Sequence, residues 1–225
     1  MIVAIDGPAG VGKSTVADCV AKKTGFLNIN SGNFYRAITK IILDNNVKYK
    51  DKNEITRLAR RYSLELKDGR ITLDGRDIEE QLHTDKIDKW VSVHSSIPEI
   101  RNIVNGKLRE AVGTRNAVIE GRDIATVVYP EAEIKIFLIA NIETRAKRRY
   151  FQGTSKLSLE EIRDSIEKRD TIDRNKEFGG LKKTKGSITI DTSGLTIEQV
   201  CEKVVNKILD NVKEQESNKG NESGR

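Results

Sequence analysis

Apolar residues fall along this chain in two rhythms. Short, nearly unbroken runs, 2-IVAID-6, 116-NAVIE-120, 134-IKIFLIA-140 and 187-SITID-191, have the texture of strands, the first that of a strand buried on both faces. Elsewhere the apolar positions recur every three or four residues. Val16, Cys19 and Val20 mark one face of a helix from about Lys13 to Thr24, with Gly25 as its stop. Ser31 is a good N-cap for a helix to about Leu43, and further helices are expected near 98–113, 142–152, 158–175 and 196–213. Strands alternating with helices of this length predict βαβ units and a parallel sheet. Between about 46 and 95 the texture changes. The segment 62-YSLELKDGRITLDGRDI-78 alternates apolar and polar residues around two Asp-Gly turns, so it reads as a small antiparallel insertion. The tail 214-EQESNKGNESGR-225 has no apolar residue and is expected to be disordered.

A length of 225 residues suits one α/β domain with such an insertion, and long hydrophilic helix faces fit the 33% charged fraction. The run 134–140 is too short to cross a bilayer, and the N-terminal MIVAIDG has neither a basic segment nor a cleavable apolar one, so a cytoplasmic location and no membrane partner are expected. Cys19 and Cys201 lack CxxC spacing and the chain has two histidines, which predicts buried, reduced thiols and no cysteine-histidine metal site. The net charge of +6 is local: residues 145–185 hold thirteen Lys and Arg against seven Asp and Glu, and the remainder balances. A site for a small polyanion would have this distribution, as would a local nucleic-acid patch.

The most specific short motif is 7-GPAGVGKS-14, a full Gly-x-x-x-x-Gly-Lys-Ser phosphate loop with a strand before it and a helix after it. Gly7, Pro8, Ala9, Gly10, Val11, Gly12, Lys13, Ser14 and Thr15 are therefore the candidate ATP-binding residues. Backbone N–H groups and the helix N-terminus would cradle phosphates, Lys13 would reach the β- and γ-phosphates, and the Ser14 hydroxyl would ligate Mg²⁺. A GTPase would carry Asn-Lys-x-Asp, but 175-NKEF-178 ends in Phe178. A shikimate-type kinase would carry Asp-x-Asp after the second strand, where this chain has Asn28 and Asn30.

Beyond the phosphate loop, the segments 30-NSGNFYRA-37, 120-EGRDIATVVYPEAEIKIFLIA-140, 145-RAKRR-149 and 167-EKRDTIDRNK-176 occur in the order and spacing of bacterial cytidylate kinases, which this chain resembles over about residues 2–210. The resemblance implies a P-loop nucleoside monophosphate kinase fold: a five-stranded parallel sheet with helices on both faces, a core of 1–45 and 96–213, a short lid at about 150–160, and a nucleoside-monophosphate-binding insertion at 46–95. It implies phosphoryl transfer from ATP, with Mg²⁺, to CMP or dCMP in a monomer that needs no nucleic acid. For CMP it implies Ser31, Tyr35, Arg36, Ser92, Arg101, Arg122, Asp123, Asp173 and Lys176. Arg36 and Lys176 would meet the acceptor phosphate, Asp173 the sugar, and Ser92, Arg101 and Asp123 the cytosine. Lys13, Arg122, Arg169 and Arg174 would act on the phosphates being joined, Arg148 would bind ATP, and Glu120 would reach Mg²⁺ through water. Arg145, Arg148 and Arg149 share one helix at the candidate lid.

Four positions depart from the family pattern. Glu120 and Asn30 stand where aspartate is usual, and Ile172 and Lys176 stand where arginine is common. Lysine keeps the charge of Lys176 but lacks the planar fork, so weaker phosphate binding is expected there. A different class of protein, a basic P-loop switch that binds RNA or a protein partner, fits the phosphate loop and the charge but not the cytidylate kinase segments.

Overall fold

A computed structural model describes residues 1–153 and 155–222. Along the chain come β1 (Ile2–Asp6), α1 (Lys13–Thr24), β2 (Leu27–Asn30), α2 (Ser31–Asp44) and α3 (Lys52–Arg61), then β3 (Leu64–Lys67), β4 (Arg70–Leu73) and β5 (Arg76–Asp77). They are followed by α4 (Asp85–His94), α5 (Pro98–Val112), β6 (Ala117–Gly121), β7 (Ile134–Ile139), α6 (Ile142–Phe151), α7 (Leu159–Arg174), β8 (Ile188–Asp191) and α8 (Ile197–Glu222). Five strands pair in parallel in the order β2-β6-β1-β7-β8. The strand pleat sorts side chains between two apolar layers. Val3, Ile5 and Val118 face Val16, Val20, Val200 and Val204 of α1 and α8. Ala4, Ala117 and Ile119 face Phe34, Ile38, Val104 and Leu108 of α2 and α5. Central strands covered on both sides explain the unbroken apolar runs.

The register brings the carboxyl ends of three strands together: Asn30 of β2 lies opposite Glu120 of β6, and Gly121 lies opposite Asp6 of β1. Open α/β sheets place ligands at this edge.

The insertion has the expected hairpins, β3-β4-β5, and its turn residues Asp68, Gly69, Asp74 and Gly75 all have positive φ, as two-residue primed turns require. It also holds α3 and α4. Ile55, Leu64, Ile71 and Leu82 join the same apolar cluster as α2 and α5, so the insertion packs onto the core.

Three expectations are corrected. Ser31 is not an N-cap: Asn30 is, without a side-chain cap bond, and Ser31 is the buried first residue of α2. The tail is not disordered as far as Glu222, because α8 continues through it; extending an existing helix avoids the nucleation cost that an isolated polar segment would meet. Residues 223–225 lie outside the described residues. The reduced thiols are instead a disulfide, Cys19–Cys201, with Cα atoms 6.1 Å apart across a sequence separation of 182. Both helices lie in the same apolar layer, a proximity no local spacing encodes. The short lid expected at about 150–160 includes Thr154, which is outside the described residues. No described helix is long and apolar enough to cross a membrane.

Candidate active site

The loop between β1 and α1 lies against the sheet's carboxyl edge. At Gly7 a Cβ would sit 2.4 Å from the Leu138 carbonyl oxygen, and Gly12 has φ 92°, so both glycines are sterically required. α1 has no side-chain cap and no acidic residue in its first turn, which leaves its N-terminal N–H groups for a ligand anion. Lys13 is buried and donates to the Pro8 carbonyl at 2.9 Å. Burial, reinforced by the positive charge of Arg122, lowers its pKa to about 7. The Ser14 hydroxyl donates to the Glu120 carboxylate, and Asn30 Nδ2 is 3.5 Å from it.

The loop is braced from behind by α6 and α7. Asp170 of α7 accepts from Ala9 N at 3.0 Å and pairs with Arg145 of α6, which also donates to the Ala9 carbonyl. Arg145 therefore faces the loop's back and not a ligand. Arg148 donates to the Val11 carbonyl at 3.3 Å and to Thr192 at 2.9 and 2.6 Å, joining the loop to the segment before α8. Asp6 accepts from Ile124 N and Ala125 N at 2.9 and 2.8 Å, which fixes the turn carrying Arg122 and Asp123; burial raises its pKa to about 6.

Across the cavity, Arg101 is almost fully buried, 5.3 Å from the Tyr35 ring centre on one side and against Gly179 on the other, where a Cβ would fall 2.2 Å from its Nε. It pairs with Asp123 and donates to the Ser95 carbonyl at 2.9 Å. Tyr35 OH, Ser92 Oγ, Arg101 Nε and Arg169 Nε are all buried with no hydrogen-bond partner among the described residues. All four side chains line one cavity of about 1010 Å³, at the upper end of the range for small-molecule sites. Buried polar atoms of this kind are costly unless a ligand engages them.

Asp173 accepts from Arg122 Nε at 2.9 Å and Lys176 Nζ at 2.7 Å, and Lys176 also reaches Ser95 Oγ at 2.9 Å. Burial opposes its charge, but Arg122, Lys176 and Arg169 outweigh it and hold the carboxyl well below the usual range. Arg169 is lowered to about 10, first by burial and then by the neighbouring Arg122 and Arg36. Arg36 donates to the Leu82 carbonyl and to Asp88, and Asp88 also pairs with Arg149 and Arg169.

The cavity thus brings together Ala9 to Thr15, Ser31, Tyr35, Arg36, Ser92, Arg101, Glu120, Arg122, Asp123, Arg148, Arg169, Asp173 and Lys176. Arg174 does not join them: its side chain is half exposed and lies 3.9 Å from Asp170 on the outer side of α7. Sequence reading missed Asp6, Asp88, Asp170, Thr192 and Gly179. Only Asp6, the last residue before the phosphate loop, and Asp170, beside Arg169, carried a positional signal. Among the described residues no cluster of three or more His, Cys, Asp or Glu could hold a metal.

The family model for cytidylate kinase matches residues 3–210. A cytidylate kinase of Caldanaerobacter subterraneus subsp. tengcongensis is 44% identical over 214 residues, covering 94% of this chain and 96% of that protein. One from Borrelia duttonii is 43% identical over 210 residues, covering 91% and 96%. A solved shikimate kinase from Bacteroides thetaiotaomicron aligns at a TM-score of 0.49 with 12% identity, covering 95% of this chain and 98% of its own.

Proposed function

The chain belongs to the cytidylate kinase family, and we propose that it transfers the γ-phosphoryl group of ATP to CMP or dCMP, giving ADP and CDP or dCDP. One observation carries the reading best: a single cavity is lined by the phosphate loop with Lys13, by Arg122 and Arg169, and by the Tyr35, Ser92, Arg101 and Asp123 group.

The chemistry follows from charge. Acceptor and donor phosphates are both anions, so approach requires neutralisation and an in-line geometry. Lys13, Arg122 and Arg169 are the cations we assign to that task, Arg36 and Lys176 to the acceptor phosphate, and Arg148 with the loop residues 7–15 to ATP. Asp173 and Ser31 are assigned to the CMP body. For cytosine, the free Arg101 Nε and Ser92 hydroxyl can donate and Asp123 can accept from the exocyclic amine. Uracil offers a carbonyl where cytosine has that amine, which leaves a buried carboxylate facing an acceptor and disfavours UMP. Residues 46–95 are assigned as the acceptor-binding unit and about 150–160 as the lid that excludes water.

The oxygen donors fit Mg²⁺. Ser14 supplies a hydroxyl and Glu120 a carboxylate in contact with it, leaving most of an octahedral shell to water and phosphate oxygens. When bound, Mg²⁺ would neutralise charge on the donor phosphates.

A coupled ADP-release assay across CMP, dCMP, UMP and AMP tests the proposal. CMP or dCMP should raise ADP release far above the ATP-only rate, with UMP much weaker. If no monophosphate does so, the reading is wrong. We further propose a cytoplasmic monomer that does not use nucleic acid; sedimentation and a salt-dependent RNA-binding assay check the last two points.

A further inference from the structure

Asp88 has no place in the roles assigned above, yet three cations meet on it, as three meet on Asp173. It lies on α4 inside the insertion, with its side chain 17% exposed. Three arginines from three other helices converge on it: Arg36 of α2 at 2.5 Å, Arg169 of α7 at 3.5 Å, and Arg149 of α6 in direct contact. The second donor of Arg36 goes to the Leu82 carbonyl at 3.1 Å, so both of its terminal nitrogens are held by the insertion. Arg36 and Arg169 are two of the cations given to the substrate phosphates in the proposed reaction. Arg36 cannot present its fork to a phosphate while those contacts persist, and Arg169 has one terminal nitrogen turned toward Asp88.

Three guanidinium groups brought this close repel one another and need an anion. A carboxylate with two oxygens, each taking charged N–H donors, is chemically a small version of a phosphate monoester. Burial works against the ionised form of Asp88, but Arg36, Arg149 and Arg169 together keep its carboxyl below the usual range. The ion pairs also tie α4 of the insertion to α6 and α7 at the lid, so loss of the contacts would free the two sides to move relative to each other.

We propose that Asp88 is an internal stand-in for the acceptor phosphate: it holds Arg36, Arg149 and Arg169 in the ligand-free enzyme and gives them up when a nucleoside monophosphate binds, setting the affinity for the phosphate group by competing with it. The proposal rests on the cytidylate kinase reading and adds a positioning residue to it.

Isothermal titration of CMP and of cytidine into the wild-type chain and the Asp88→Asn variant tests it. Asparagine keeps the shape and removes the charge. CMP should bind the variant about tenfold more tightly, the weight of one charge-assisted hydrogen bond, whereas cytidine, which lacks the phosphate, should shift less than about twofold. Asp88→Ser should behave in the same way, and inorganic phosphate should raise the thermal midpoint of both variants more than that of wild type. Unchanged or weaker CMP binding in both variants overturns the proposal, as does a parallel change for CMP and cytidine, which would indicate a purely structural role. Wild-type chain alone supplies an independent check. The Asp88 carboxyl carbon resonance should move together with the Arg36, Arg149 and Arg169 guanidinium signals as CMP is added, and a carboxyl signal that stays fixed at saturation overturns the idea. Failure of wild type to bind CMP at all would instead sink the kinase reading.

Discussion

Replacing Asp173 with asparagine gives a sharp test of how the acceptor side is built. Asp173 is 2% exposed and carries two short charge-assisted bonds, from Arg122 Nε at 2.9 Å and Lys176 Nζ at 2.7 Å, with Arg169 at 4.0 Å. Asparagine preserves shape but leaves the Lys176 ammonium, itself 3% exposed, with only neutral hydrogen-bond partners in contact. Removing one member of a buried ion pair costs about 3–5 kcal/mol. Arg122 keeps some access to water at 17% exposure, so the lower end, about 3 kcal/mol, is expected. That is roughly a hundredfold in the folding equilibrium, measurable by urea unfolding. The pH dependence has a definite sign. The carboxyl titrates lower in the folded chain than in the unfolded one, so its contribution is complete above the unfolded value of about 3.9 and is lost as pH falls toward the folded value. The gap between wild type and variant should therefore be full at neutral pH and shrink by about 1 kcal/mol between about pH 5 and 3. Adding Lys176→Met should cost less than the sum of the two single changes, because it removes the orphaned charge. In activity, the KM for CMP should rise while that for ATP holds. A stability loss under about 1 kcal/mol, or a gap that ignores pH, would refute the reasoning.

Other expectations follow from the same geometry. Lys13, at about pKa 7 before ligand binds, should be largely neutral at about pH 8.5 and regain its proton beside a polyphosphate. Titration of ATP in buffers of different ionisation enthalpy should show uptake of nearly one proton at that pH and almost none near pH 6; proton release would contradict it. Gly179→Ala should weaken CMP binding and cost about 1–3 kcal/mol, because the methyl would collide with the Arg101 guanidinium at a residue with φ 67°. Urea unfolding and CMP titration check this. The Cys19–Cys201 bond closes a loop of 182 residues, for which chain entropy sets a ceiling of about 5 kcal/mol. Thiol titration of denatured, unreduced protein should find no free thiol, and reductant should lower the unfolding midpoint. Two free thiols in protein purified without reductant would contradict the bond.

Much of the fold was legible because it follows from local rules. Strands buried on both faces read as apolar runs, primed turns favour Asp-Gly, and a phosphate loop needs glycine where a Cβ would strike Leu138. Site residues on recognisable segments, such as Arg101, Asp123 and Asp173, could be picked out, and they meet in one cavity. Arg174 shows the limit: it shares the charged segment of α7, but helical phase turns it outward. Arg145 does too, since its partner Asp170 directs it to the back of the loop.

By itself, then, the sequence determined the strand-helix alternation, the phosphate loop and the family, because each rests on residues close together in the chain or on segment order. Tertiary structure alone decided what depends on elements distant in sequence: the contact of α1 with α8 that joins Cys19 to Cys201, the Arg101 guanidinium fixed between Tyr35 and Gly179, and the three arginines gathered on Asp88. Charge type is written residue by residue, but which charges face each other in low dielectric is set only when separate helices pack.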